Sequence, residues 1–82
     1  MARARARVSK SLGDFTRSDW ERVIREAALG MEDTRIAELY LLDAVPQVEI
    51  GAEFRIDRST VSRRLVRIID KIERTAARLK LI

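Results

Sequence analysis

Arg58, Ser59, Thr60, Ser62, Arg63, Arg64 and Arg67 crowd into ten consecutive positions of an 82-residue chain. All seven side chains are hydrogen-bond donors, and the four arginines carry permanent charge. Guanidinium and hydroxyl groups of this kind hold phosphate oxygens and, placed in a groove, read base edges. Ser59, Arg63 and Arg67 recur every four residues, so a helix carries them on one face. The chain offers little for covalent chemistry. It has no cysteine and no histidine, which excludes disulfides, thiolate zinc sites, cysteine nucleophiles and the commonest general base. No nucleophile–base pair and no phosphate-cradling glycine loop is evident. The residues therefore point to a binding module with no cofactor and no metal, and not to an enzyme.

Charge is distributed by segment. Residues 1–17 carry five basic side chains and one acid, residues 18–53 three basic and nine acidic, and residues 54–82 nine basic and three acidic. A basic C-terminal third, separated from a basic start by an acidic middle, suggests a polyanionic partner. The middle acids lack the histidine or Asp-rich loop that coordination needs and read as a solvated face. No run of apolar residues is long enough to span a membrane. Arginines open the chain without a following hydrophobic stretch, which does not fit a secretory signal. The length suits one small domain with a thin core.

Helices must position the donors, since glycine and proline are few. Residues 1–13 alternate Ala with Arg and lack periodicity, so a disordered basic arm is expected there and a folded domain over 14–82. Such an arm could lie along phosphates, reach into a minor groove, or serve no contact at all. Ser18 and Glu21 have capping-box spacing, with Phe15 ahead of them. Trp20, Val23, Ile24 and Ala27 then mark one helical face, and Gly30 is a plausible stop. Trp20 and Tyr40 lie on apolar faces and read as core. A second helix is expected over 32–42, with Glu32 and Asp33 in its first turn, where the dipole favours anions. Pro46 suits the start of a third, 47–54. Asp57 is a good N-cap for a long fourth helix reaching about Leu79. On that helix Val61, Leu65, Ile68, Ile72, Ala76 and Leu79 share a narrow arc, opposite Ser59, Arg63, Arg67, Asp70 and Arg74. Asp70 and Glu73 suit ion pairs with Arg74 and nearby bases.

A short helix, a tight turn and a second helix over about 47–69 follow the helix-turn-helix plan. Gly51 would permit a close helix crossing, Phe54 and Ile56 would plug the turn, and Val61 and Leu65 would face inward. The outer face then belongs to the donors. Ser59, Thr60, Ser62 and Arg63 are the candidates for base-edge contacts, and Arg58, Arg64, Arg67 and Gln47 for phosphate contacts.

The stretch LYLLDAVPQVEIGAEFRIDRSTVSRRLVRIIDKI resembles the sigma-factor region-four-like helix-turn-helix. Glu49-Ile50-Gly51 stands where that family has Glu-Ile-Ala. Phe54-Arg55-Ile56-Asp57 stands at its turn, and Ser59-Thr60-Val61 opens its recognition helix. The likeness covers about residues 19–75. Gly51 departs from the usual Ala, Arg55 from the usual turn glycine, and Pro46 from a Ser or Thr cap. The resemblance implies a small transcription regulator of the kind carried by phages and mobile elements. Such a protein acts in the cytoplasm of a bacterial or phage-infected cell.

The expectation is an all-α domain of four helices that binds double-stranded DNA and regulates transcription. Two rivals remain. The acidic middle could bind RNA polymerase or a basic protein partner, or the chain could be a DNA-packaging component like a small terminase subunit. The fourth helix continues its apolar stripe through Ile72, Ala76 and Leu79, with Leu81 and Ile82 beyond. Exposed together, these residues would form a homodimer seam. Folded back onto Trp20 and Ile24, they would serve one chain.

Overall fold

The computed structural model describes residues 12–82. Among the described residues there are four helices and no strand, so the protein is all-α. They are α1 (Arg17–Glu26), α2 (Met31–Ala37), α3 (Gln47–Phe54) and α4 (Arg58–Arg78). α2 runs on without a break into one π-helical turn, Glu38–Leu42, in which the Asp43 N–H donates to the Glu38 carbonyl.

α1 starts two residues earlier than the Ser18–Glu21 spacing suggests. Thr16 is its N-cap: the Thr16 hydroxyl accepts from the Asp19 N–H, and the Asp19 carboxylate accepts from the Thr16 N–H, each at 3.1 Å. The reason is apolar. With Thr16 as cap, the preceding residue is Phe15 and the fourth helical position is Trp20, and their rings meet edge-on at 5.2 Å. That is a hydrophobic staple. A cap at Ser18 would put Arg17 in the staple position. Arg17 instead donates to the Leu42 carbonyl at 3.3 Å and pairs with Asp43, tying the start of α1 to the end of the π-helical turn.

Gly30 does not stop α1. The helix ends at Glu26, Ala28 takes the left-handed conformation, and Gly30, with φ of 93°, is the N-cap of α2. Asp57 does stand at the N-cap of α4, but its carboxylate makes no cap hydrogen bond. The residue is exposed, and a carboxylate left in water gives up little by forgoing one weak partner.

The core is drawn from every helix: Val23, Ile24 and Ala27 around α1, Ile36, Ala37 and Leu39 from α2 and its extension, Ile50 from α3, and Val61, Leu65, Ile68, Ile69, Ile72 and Ala76 from α4. Trp20 and Tyr40 pack against it, half-buried. Leu12, which the sequence assigns to the arm, is fully buried in the same cluster. The rest of the expected arm, residues 1–11, lies outside the described residues.

Most of the apolar stripe of α4 is covered within the chain, the second of the two arrangements open to it. Ile72 and Ala76 are fully buried, while Leu79 and Leu81 pack half-buried on the core. The C-terminal end folds back to allow this. Lys80 adopts φ of 62°, and the Leu81 N–H donates to the Ala76 carbonyl at 2.8 Å, the pattern of a Schellman cap. α1 packs on α4, and Arg78 reaches the Glu26 carbonyl at 3.5 Å. Of the five seam residues, Ile82 alone remains exposed. Leu79→Asp is therefore expected to lower thermal stability by about 1–2 kcal/mol, with no change in molar mass by sedimentation.

Candidate nucleic-acid interface

α3 and α4 are joined by three residues, Arg55, Ile56 and Asp57. The joint is set by backbone chemistry. Arg55 takes the left-handed conformation (φ 58°, ψ 44°), and the Ile56 N–H donates to the Gly51 carbonyl at 2.9 Å. The chain thus turns straight out of α3 through a Schellman-type cap. Gly51 is what lets it pass. A Cβ at position 51 would lie 2.6 Å from the Ile56 carbonyl oxygen. The closest approach at Gly51 is to the turn's own backbone, with the first nitrogen of α4, that of Arg58, in contact at 3.6 Å. Arg55 bears the strain that a glycine would avoid, so Arg55→Gly is expected to raise stability by about 1 kcal/mol. Urea unfolding at constant m-value measures this directly.

Behind this joint, Val61 and Leu65 anchor the first turns of α4 in the core with no exposed surface. The rest of its surface is left to the donors. Arg58, Ser59, Arg63 and Arg67 are exposed, and Thr60 and Ser62 are half-buried. Arg63 donates to the Thr60 hydroxyl at 3.3 Å, so two of the base-edge candidates already touch. Gln47 occupies the first position of α3, half-buried.

Arg64 is placed apart from the others. Its side chain is 23% exposed and forks across to the first turn of α2, 2.7 Å from Glu32 Oε1 and 2.9 Å from Asp33 Oδ1. The hydrogen bond that Arg64 donates to Glu32, with the charges of both acids, raises its pKa above the ordinary arginine value against the opposing effect of burial. Arg64 thus fastens α4 to α2, and a phosphate would have to displace two carboxylates to reach it. Nothing in the sequence links positions 32 and 33 to position 64, so the three read separately as a solvated acidic face and a cation. On the outer side, Asp70 pairs with Arg74 at 2.9 Å, as the spacing predicts.

Sequence reasoning passed over one further side chain here. Val66 lies one helical turn beyond Ser62 and is 48% exposed. An apolar group beside hydroxyls and guanidiniums is of the kind that meets a thymine methyl. Its signal was its position outside the arc of Val61, Leu65 and Ile68.

Among the described residues no group of His, Cys, Asp or Glu is placed to hold a metal ion, and no helix is long and apolar enough to cross a membrane. No family model, curated protein or solved structure matches the chain.

Proposed function

We propose that residues 47–69 form a helix-turn-helix that binds double-stranded DNA in a sequence-specific way, and that the chain regulates transcription through it. The carrying observation is the first half of α4. It is anchored on one side by Val61 and Leu65 and presents Ser59, Thr60, Arg63 and Arg67 on the other, with Arg58 exposed at its first position and no carboxylate among them before Asp70. In this reading those turns enter the major groove. Ser59, Thr60, Ser62 and Arg63 meet base edges, with Thr60 holding the Arg63 guanidinium in place. Arg58 and Arg67 hold phosphates, and Gln47 meets the backbone from the start of α3. The first-turn N–H groups of α4, which the Asp57 side chain leaves uncapped, suit a phosphate as well. Arg64 supports the helix from behind.

Selection of bound sequences from random duplex DNA tests the proposal. A preferred site should emerge, and affinity for it should fall steeply with salt, with a log–log slope of about 0.9 per neutralised phosphate. Arg63→Ala should cost about 2 kcal/mol of discrimination between the selected site and a version mutated at the arginine's base pair. A flat salt response, or equal affinity for every sequence, refutes the reading.

A further inference from the structure

α4 carries more exposed charge than a groove-entering helix uses. Past Arg63 and Arg67, the same outer face continues with Lys71 and Arg74, all four exposed. At 1.5 Å per residue these cations form a row about 16 Å long, with successive members about one helical turn apart. Like charges at this spacing repel one another, so the row weakens the helix that bears it. It also does nothing for the fold. An arginine that serves packing looks like Arg64, with two carboxylates within 3 Å, or like Arg78, which donates to the Glu26 carbonyl. Among the described residues Arg67 and Lys71 are in no ion pair, and the one partner of Arg74 is the exposed Asp70. Arg67, Lys71 and Arg74 also border a groove of about 540 Å³, lined besides by Leu29, Val66 and Ile68 and by the acids Asp33 and Asp70.

We infer that the second half of α4, through Lys71 and Arg74, is a second phosphate-binding surface that grips the DNA backbone beyond the stretch read by the first half. This rests on the DNA reading above. A straight helix cannot follow the curving major groove for more than a few turns, so its far end must leave the bases and cross a sugar–phosphate strand. The C-terminal ends of recognition helices meet the backbone in this way. Two cations about one turn apart fit successive phosphates on that strand, and the Arg74 guanidinium fits phosphate oxygens bidentately. Asp70, one turn before Arg74, is a built-in competitor. Its carboxylate occupies Arg74 in the free protein and repels the strand, so binding exchanges one anion for another.

The test uses the full chain and the selected duplex. Lys71→Gln with Arg74→Gln should lower the log–log salt slope by about 1.8, at about 0.9 per phosphate. It should weaken the selected and mutated sites by the same factor and leave the melting temperature unchanged or slightly raised. Asp70→Asn should do the opposite, tightening every duplex several-fold. An unchanged slope in the double variant, beside a wild type that still discriminates its site, overturns the second surface and leaves the DNA reading standing. A wild type that binds no duplex overturns both. An Asp70→Asn variant that binds no tighter than wild type overturns the competitor role.

Discussion

Gly51→Leu is expected to remove about 3 kcal/mol or more of stability, a large part of what a domain of this size holds. Even the first carbon of the new side chain has no room, because it would lie 2.6 Å from the Ile56 carbonyl oxygen. The obstacle is backbone, so no rotamer change relieves it. The Ile56 N–H bond to the Gly51 carbonyl and the left-handed Arg55 fix that backbone where it is. Gly51→Ala should cost about 1–3 kcal/mol, the usual range for overpacking, and the remaining leucine atoms add to it. Ala52→Leu is the control. Its site is exposed on the same helix, and its effect should stay within about 0.5 kcal/mol. Thermal melting followed by circular dichroism separates the three variants. A Gly51→Leu protein that melts with the wild type would mean that the α3–α4 joint is not built as described.

Arg64→Ala is expected to cost about 2–3 kcal/mol, below the range for a fully buried pair because Glu32 and Asp33 keep partial access to water. The loss comes less from the missing attraction than from Asp33, whose Oδ1 is buried and would then face no cation. Asp33→Asn alone should cost less, and Arg64→Ala with Asp33→Asn should cost less than the sum of the two single changes. A double-mutant cycle measures that coupling. The sign of the pH dependence follows from the raised arginine pKa. A group whose folded pKa is raised contributes stability fully below its unfolded value, and loses it only as pH rises through the folded one. Titration of Arg64 therefore leaves the contact intact across the neutral range, while added salt weakens its exposed portion. Well below its melting temperature, Arg64→Ala should retain its preference for the selected DNA site. A loss of affinity without a loss of stability would return Arg64 to the phosphate contacts.

Local chemistry was legible in the residues themselves. The boundaries of α3 follow from Pro46 and from the pattern Gln47–Phe54, and α4 runs unbroken because no glycine or proline interrupts Arg58–Arg78. The inward arc of Val61, Leu65, Ile68 and Ile72 and the outward row of Ser59, Arg63 and Arg67 follow from helical period alone. So does the Asp70–Arg74 pair, one turn apart on a single helix. Where two local signals competed, the tertiary structure chose. Thr16–Asp19 and Ser18–Glu21 both have capping spacing, and the Phe15–Trp20 contact selects the first. Gly30 could close one helix or open the next, and Ala28 took the closing turn.

Contacts between residues far apart in the chain were beyond any local reading. The stripe through Ile72 and Ala76 has the same period whether a second chain or α1 covers it, and the closing turn at Lys80 and the packing of α1 decide for α1. Arg64 and Arg67 are indistinguishable as residue types three positions apart. The 100° advance per residue turns the first toward Glu32 and Asp33 and leaves the second in water. Periodicity specifies which side of a helix a residue occupies. What waits on that side depends on how the chain has folded around it, and here that separates an arginine that holds the domain together from one free to hold a phosphate.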